Sequence, residues 1–206
     1  MSVAITRWWW IRHAPVDHPV GRIYGAADVP ALTADEPAFR ALAKRLPENA
    51  VWVTTHLTRT RQTAEALRAA GAEVGVPLVE DAFGEQSFGA WEGQTYDAIH
   101  RDVGTHRFWL APARHRPPEG ESFVDLIARV VPAIERLTEQ YRGRDIVAVA
   151  HGGTIRAALS HALNVEPEAA LRISTANLSL SRLDHIHEPD GRHAWRVAWL
   201  NLQPGP

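Results

Sequence analysis

Apolar residues recur along the chain in two patterns, short continuous runs and longer stretches with an apolar position every three or four residues. The short runs are rich in β-branched and aromatic residues and predict strands, whereas the longer stretches predict amphipathic helices. Predicted strands cover residues 5–11, 50–54, 77–80, 145–150, 177–183 and 195–200. Predicted helices cover residues 33–46, 58–70, 95–101 and 153–163, and a long helix follows a Ser-x-x-Asp capping box that begins at Ser122.

Strands and helices alternate in this prediction, which indicates a mostly parallel sheet covered by helices on both faces. The expected fold class is therefore α/β, a three-layer α/β/α sandwich. The 206 residues fit a single domain, 1–206, and the irregular stretch at about 81–121 is predicted to be a lid-like insertion. Ligands of such sheets bind beyond the carboxyl ends of the strands.

Composition narrows the functional classes. The formal net charge is −2, which argues against nucleic acid or an anionic membrane as the main partner. The chain has no cysteine, which excludes disulfides, thiolate zinc sites and a cysteine nucleophile. Neither a signal peptide nor an apolar run of about 20 residues is visible. We therefore expect a cytoplasmic protein.

Cationic side chains follow three of the predicted strands. Arg12 and His13 end the first strand, Arg59 opens the helix after the second, and His151 ends the strand at 145–150. Gly152 and a further glycine then lead into a helix. If the strands are neighbours, these cations converge and require an anion between them. A phosphoryl group fits, because guanidinium groups and helix N-termini both bind its oxygens.

Five segments resemble the histidine phosphatase superfamily, whose fold is phosphoglycerate mutase-like. They are 10–13 (Trp-Ile-Arg-His), 55–64 (Thr-His-Leu-Thr-Arg-Thr-Arg-Gln-Thr-Ala), 85–93 (Glu-Gln-Ser-Phe-Gly-Ala-Trp-Glu-Gly), 118–123 (Pro-Glu-Gly-Glu-Ser-Phe) and 149–153 (Val-Ala-His-Gly-Gly). Any one of these segments is a weak signal, whereas five in the family's order and spacing are specific. The resemblance covers the chain from residue 5 to about 160.

The resemblance implies a division of roles. His13 would be the nucleophile that becomes phosphorylated, with one ring nitrogen free and the other donating to a backbone carbonyl. Glu85 would protonate the leaving oxygen and then activate water. The catalytic set is His13, Glu85, His151, Arg12 and Arg59, and the substrate-binding set is Arg12, Arg59, His151, Gly152 and Tyr24. No metal or cofactor is implied, and the partner would be a small phosphorylated metabolite.

Two features separate this chain from the family's mutases and from its usual pattern. Mutases typically carry an arginine after the catalytic glutamate, whereas Gln86 stands here, so we favour a phosphoric monoester hydrolase over a mutase-type phosphotransferase. Ala14 and Pro15 replace the usual glycine, and no asparagine appears at 16–20. These departures leave one phosphate contact in doubt and keep open a non-catalytic phosphate binder on the same fold.

Several finer readings remain open. The loop 21–25, together with the tryptophan at position 91, resembles members that act on α-ribazole phosphate, while Tyr24, Trp91, Phe108 and Trp109 could line a pocket for many organic esters. Asp81 or Glu92 could replace Glu85 as the acid. The histidines at 185, 187 and 193 lie in a polar, loop-like stretch and are disfavoured as a metal site. The tryptophans at 8–10 are expected in the core, and a homodimer stays open.

Overall fold

The computed structural model describes residues 2–103 and 112–205. Its single sheet has the order β3-β2-β4-β1-β5-β6, in which β3, β2, β4 and β1 are parallel and β5 and β6 are antiparallel. The strands are β1 (Ala4–Arg12), β2 (Val51–Thr54), β3 (Leu78–Val79), β4 (Asp145–Ala150), β5 (Leu180–His187) and β6 (His193–Leu202). The mostly parallel sheet is thus confirmed, with an antiparallel hairpin at one edge.

The helices also follow the predicted order. They are α1 (Glu36–Ala43), α2 (Thr58–Ala69), α3 (Tyr96–Val103), α4 (Phe123–Gln140), α5 (Gly152–Leu163) and the single turn α6 (Pro167–Ala170). The capping box at Ser122 is confirmed, since its hydroxyl accepts from the Asp125 amide and the Asp125 carboxylate accepts from the Ser122 amide. The turn α6 was not predicted, because four residues are too few to show helical periodicity.

The tryptophans of β1 explain the three layers. Trp8 and Trp10 are fully buried on one face, where their rings stack 4.9 Å apart and pack with residues of α4 and α5. Trp9 and Ile11 face the other way and pack with residues of α1 and α2. Successive side chains of a strand alternate between the faces of the sheet, so one aromatic run supplies both halves of the core. The α/β/α sandwich and the core position of these tryptophans are confirmed.

The strand predicted at 177–183 needs correction. β5 begins at Leu180, because Leu178 has a φ of +57°, a left-handed conformation that a strand does not accommodate. The strand then continues through His185 and His187, so the reading of that stretch as a loop was wrong. Its polar residues are compensated: the fully buried Asp184 pairs with Arg182 and Arg196.

The stretch 81–121 is described only in part. It contains two single-turn 3₁₀ helices, Asp81–Phe83 and Gly89–Trp91, followed by α3. Phe108 and Trp109 lie outside the described residues, and a lid role for the stretch stays a prediction. Within residues 2–103 and 112–205, none of the helices combines the length and the apolar character that crossing a bilayer requires.

Candidate active site

The parallel pairing of β1 with β4 brings the two predicted histidines together. Arg12 lies opposite Ala150 in the register, so His13 and His151 follow neighbouring strands at the same edge of the sheet. The His13 amide donates to the Ala150 carbonyl at 3.0 Å, and the two imidazole centroids are 5.2 Å apart. Arg59 joins them from the first turn of α2, directly after β2.

His13 has one occupied and one free ring nitrogen. Its Nδ1 lies 2.6 Å from the backbone oxygen of Ala14. A carbonyl only accepts hydrogen bonds, so Nδ1 must carry the hydrogen and Nε2 keeps its lone pair. Within the described parts of the chain, Nε2 is buried and has no hydrogen-bond partner. The Asn177 side chain holds the same residue by donating to the His13 carbonyl at 2.8 Å.

His151 differs, because both of its ring nitrogens are engaged. The Arg59 Nε donates to Nδ1 at 3.3 Å, and a guanidinium cannot accept, so Nδ1 is the acceptor. The hydrogen of the neutral ring therefore resides on Nε2, which lies 3.0 Å from the Thr55 hydroxyl oxygen. Of the two histidines, only His13 presents an unoccupied lone pair.

Arg59 and Arg12 supply positive charge beside the rings. The terminal nitrogens of the fully buried Arg59 donate to the carbonyls of Ala27 and Gly25, each at 2.7 Å. Each terminal nitrogen carries a second hydrogen, which leaves donors for an oxyanion. Arg12 donates to the Thr175 carbonyl at 2.6 Å, while its buried Nε has no partner within the residues that the structure describes.

Burial and these cations keep both rings neutral. The pKa of His13 is held well below its usual value, first by burial and then by Arg59 and Arg12. The pKa of His151 is also well below its usual value, first because of burial and then because protonating it would place a second charge beside His13, Arg59 and Arg12. A depressed pKa preserves the neutral ring that a nucleophile needs. Burial is the larger cause for both rings.

Glu85 is placed beside these groups. Its Oε1 accepts from the Gly153 amide at 3.1 Å and from the Gln86 amide at 3.0 Å, so the carboxyl group lies at the N-terminus of α5. Glu85 also lines the adjoining cavity, whereas Asp81 and Glu92 do not. The geometry therefore favours Glu85 over the two alternative acids.

Arg129 of α4 holds the segment that carries Glu85. Its guanidinium donates to the carbonyls of Ala82 (2.7 Å), Gly84 (3.0 Å) and Glu85 (3.0 Å). It also pairs with the Glu121 carboxylate at 2.5 Å. Sequence reasoning missed Arg129, because a single arginine within an amphipathic helix gives no signal of a contact with loop carbonyls.

A cavity of about 320 Å³ opens onto the site. Four of the predicted residues line it: Arg12, Tyr24, Glu85 and Gly152. The fully buried His13, Arg59 and His151 do not contribute to its wall. Trp91 also stays out of the wall and instead stacks on His115, which does line the cavity, with ring centroids 5.3 Å apart.

Arg156 and Thr175 are two polar residues near this cavity that sequence reasoning missed. Arg156 lines the wall and lies four positions after Gly152 on α5, so helical spacing places both on one face. That spacing could have identified Arg156. Thr175 lies in the irregular segment between α6 and β5, and no sequence pattern marks it.

The histidines at 185, 187 and 193 form a second group, here called the β5–β6 histidine cluster. His185 Nδ1 lies 2.9 Å from His187 Nε2, and His185 Nε2 lies 3.2 Å from His193 Nδ1. The Thr6 hydroxyl oxygen is 3.1 Å from His187 Nε2. Across the described ranges, no group of three or more histidine, aspartate or glutamate side chains has the geometry to hold a metal ion.

Comparison with known proteins places this site in a family. The model of the histidine phosphatase superfamily (branch 1) matches residues 8–201. The chain therefore belongs to the histidine phosphatase superfamily, as its motifs predicted.

Two relatives show how much of the chain is shared with known proteins. The bifunctional protein Rv2228c of Mycobacterium tuberculosis is 34% identical over 185 residues, which cover 85% of this chain and 49% of that protein. The chain thus spans about half the length of such relatives. A probable phosphoglycerate mutase GpmB of Photorhabdus laumondii is 28% identical over 193 residues, or 91% of this chain and 88% of the relative.

A solved structure gives the corresponding similarity in three dimensions. The mycobacterial glucosyl-3-phosphoglycerate phosphatase Rv2419c superposes with a TM-score of 0.81 at 28% identity. The match covers 98% of this chain and all of the other. The phosphoglycerate mutase-like α/β fold and the presence of phosphatases among the structural neighbours follow from this match.

Proposed function

We propose that the protein is a phosphatase that hydrolyses a small organic phosphate monoester through a phosphohistidine at His13. One observation carries the proposal: His13 Nε2 is a buried lone pair without a partner among residues 2–103 and 112–205, fixed by the Nδ1 contact to Ala14 and flanked by two arginines. A residue that only supports the fold would be expected to have both ring nitrogens occupied, as His185 does.

The reaction balances in two displacements. In the first, His13 Nε2 forms a bond to phosphorus, the ester P–O bond breaks, and Glu85 gives its proton to the leaving alcohol. In the second, Glu85 removes a proton from water, whose oxygen bonds to phosphorus while the P–N bond breaks. Arg12, Arg59 and His151 stabilise the charge on the equatorial oxygens in both steps. Arg12 and Arg59 supply the positive charge, because His151 is neutral, so we propose turnover without a divalent metal.

Gln86 supports a hydrolase over a mutase. Its side-chain amide donates to the Glu121 carbonyl at 2.8 Å, so a neutral group stands in the cavity wall beside Glu85. The phosphatase Rv2419c among the structural neighbours agrees with this choice. The relatives named GpmB give a specific reason to test phosphoglycerate mutase activity as the second candidate. A preference for α-ribazole phosphate and a non-catalytic binding role stay open predictions.

The setting of the reaction is also part of the proposal. A small phosphorylated metabolite is the proposed partner, because the cavity volume of about 320 Å³ suits a small ligand. The slightly negative net charge speaks against nucleic acid and membrane surfaces. We propose a cytoplasmic location and leave a homodimer open.

A chromogenic phosphate ester provides the test. We expect wild-type protein to release product with a chelator present, and His13→Ala to lose turnover while it still binds inorganic phosphate. Rapid quenching followed by mass spectrometry should find the added phosphoryl group on His13. Interconversion of phosphoglycerate isomers faster than hydrolysis would favour the mutase. Phosphate binding without turnover of any ester would favour the binder.

A further inference from the structure

Gly152, the first residue of α5, borders a gap that three polar groups surround. A β-carbon built on Gly152 would lie 3.2 Å from the Thr175 hydroxyl oxygen, 3.3 Å from a terminal nitrogen of Arg156 and 3.6 Å from Arg12 Nε. Because glycine has no side chain, this space stays empty of protein atoms. Gly152, Arg12 and Arg156 all line the cavity, so the gap belongs to its wall.

Two of the three groups around the gap have no hydrogen-bond partner among the described residues. The Thr175 hydroxyl, in a residue that is only 4% exposed, and the buried Arg12 Nε have no hydrogen-bond partner in the described part of the protein. Arg156 is fixed by donation from its Nε to the Ile173 carbonyl at 2.7 Å. Within residues 2–103 and 112–205, no carboxylate forms an ion pair with it. Buried polar groups are normally satisfied, so these donors indicate a missing acceptor.

The gap borders the cavity, whereas His13 and Arg59 do not contribute to the cavity wall. After burial, the charges that lower the pKa of His13 are those of Arg59 and Arg12. After burial, the charges that act on the pKa of Arg156 are those of Glu85 and Arg12. Arg12 is therefore common to both neighbourhoods, with Arg59 and His13 on one side and Arg156 on the other. A group bound at the gap would sit next to the reacting phosphoryl group rather than replace it.

We propose that Arg156, Thr175 and Arg12 Nε form a second oxyanion subsite. The inference rests on the proposed phosphatase function and names its substrate class, a phosphate monoester that carries a second anionic group. Two guanidinium donors and one hydroxyl around a partly buried gap match the oxygens of a carboxylate or a second phosphate. An ester without a second anionic group would leave these partly buried cations uncompensated.

Matched pairs of esters test this selectivity. Phosphoserine against phosphoethanolamine probes a carboxylate, and fructose 1,6-bisphosphate against fructose 6-phosphate probes a second phosphate. We expect wild-type kcat/KM to favour the more anionic member of at least one pair by about 10-fold or more. Arg156→Met should lower kcat/KM for that ester by about 10- to 100-fold, mainly through KM, and change the less anionic ester by less than about threefold. Thr175→Val should act in the same direction by about three- to tenfold.

A matched control variant distinguishes ligand binding by Arg156 from a purely structural role. Arg68 of α2 also ties loop carbonyls, those of Val74 and Gly75, but does not line the cavity. Arg68→Met should leave the ratio between paired esters unchanged, and Arg156→Lys should restore part of it. The subsite is refuted if wild-type protein treats both members of each pair alike, or if Arg156→Met lowers both equally.

A binding experiment makes this result independent of turnover. Calorimetry on His13→Ala should show tighter binding of the more anionic ester. The double variant that also carries Arg156→Met should bind both esters equally. If wild-type protein hydrolyses no ester, the proposed function fails, whereas the calorimetric comparison still decides the subsite. If esters are hydrolysed without any preference in either experiment, the subsite fails and the phosphatase stands.

Discussion

Two groups of buried histidines lie at opposite ends of β1. His13 and His151 follow the carboxyl ends of β1 and β4, whereas His185 and His187 pair with residues near the start of β1. Burial is the first cause of a lowered pKa for His13, His151, His185 and His187 alike. The groups differ in their partners. Both nitrogens of His185 contact other imidazoles, while His13 Nε2 faces no partner and is flanked by guanidinium groups.

The comparison shows that a lowered pKa by itself does not mark a reactive histidine. In the β5–β6 histidine cluster, neutral rings satisfy one another, and the low pKa follows from their mutual burial. At the carboxyl end of the sheet, the same neutrality is combined with an unoccupied lone pair and with arginines that can bind an oxyanion. The free nitrogen and its charged surroundings therefore separate a candidate nucleophile from a packed cluster.

The largest expected difference between the groups is in turnover. His13→Ala should reduce kcat for a chromogenic phosphate ester by at least about 1,000-fold, because the attacking atom is removed. His185→Asn should change kcat by less than about threefold, since that ring lies at the other end of β1. Steady-state assays on both variants, with circular dichroism to verify folding, make the comparison. Equal losses would contradict the assignment of the site.

Substitution of Gly153 should have the second-largest effect on kcat. A β-carbon there would lie 2.4 Å from Glu85 Oε1 and 2.8 Å from a Leu126 methyl carbon, so Gly153→Ala must displace the carboxyl group. We expect kcat to fall by about 10- to 100-fold, because a displaced carboxyl group loses part of the about 100- to 10,000-fold that a general acid typically contributes. Gly75→Ala is the control, because no atom lies within 4 Å of its added carbon. An unchanged kcat in Gly153→Ala would remove Glu85 from the mechanism.

The hydrogen bonds of Arg129 test whether the active site depends on a residue that holds the Glu85 segment in place. Arg129→Met removes the donors to the carbonyls of Ala82, Gly84 and Glu85, so Glu85 loses its fixed position. We expect kcat to fall by about tenfold with a smaller change in KM. Arg136→Met, on the same helix, removes an exposed ion pair with Glu80 and should leave kcat nearly unchanged. Equal effects of the two variants would show that Arg129 acts only through stability.

The β5–β6 histidine cluster should appear in the pH dependence of stability. Burial, with His187 and His193, lowers the pKa of His185 to about 4, against about 6.5 in an unfolded chain. The unfolded state thus binds more protons between these values, so this contribution is present above pH 6.5 and is lost as pH falls towards 4. Allowing for solvent screening, we expect a loss of about 2 kcal/mol that His185→Asn abolishes. Urea unfolding of both proteins at pH 7.5 and 4.5 measures this loss. An equal change in the free energy of unfolding for wild type and His185→Asn would refute the prediction.

The smallest expected effect is on the pH profile of activity. Because the pKa of His13 lies well below its usual value, the free enzyme keeps a neutral nucleophile under mildly acidic conditions. We expect kcat/KM to change by less than about twofold from His13 protonation between pH 7.5 and 5.5. A profile that rises steadily from pH 5.5 into alkali would contradict this expectation.

Much of the site could be predicted because parallel strands bring their carboxyl ends to one edge. Arg12, His13 and His151 are adjacent to apolar runs that define β1 and β4, and Arg59 opens a strongly patterned helix, so their convergence required only the strand order. Their chemical roles rest on the family resemblance and stay predictions until tested. The asparagine that was sought at 16–20 illustrates the limit: Asn177, from a distant segment, is the one that contacts the His13 backbone.

Other parts of the molecule were beyond sequence reasoning for physical reasons. Thr175 is placed by an irregular segment whose path depends on tertiary contacts, and Arg129 acts on carbonyl oxygens, which are identical in every residue. The extent of β5 was misjudged because polar residues such as Asp184 and His185 lower the apparent strand signal. Their charges and ring nitrogens are matched only after the chain has folded.

The run of tryptophans in β1 has a consequence for how the protein unfolds. This strand is hydrogen-bonded to neighbours on both edges and covered by core residues on both faces, so its end at Arg12 has no route to open locally. The amides of residues 8–13 should therefore exchange with solvent deuterium only through whole-molecule unfolding. Heat inactivation and the loss of tryptophan burial should then follow one curve, with no inactive but folded species between them.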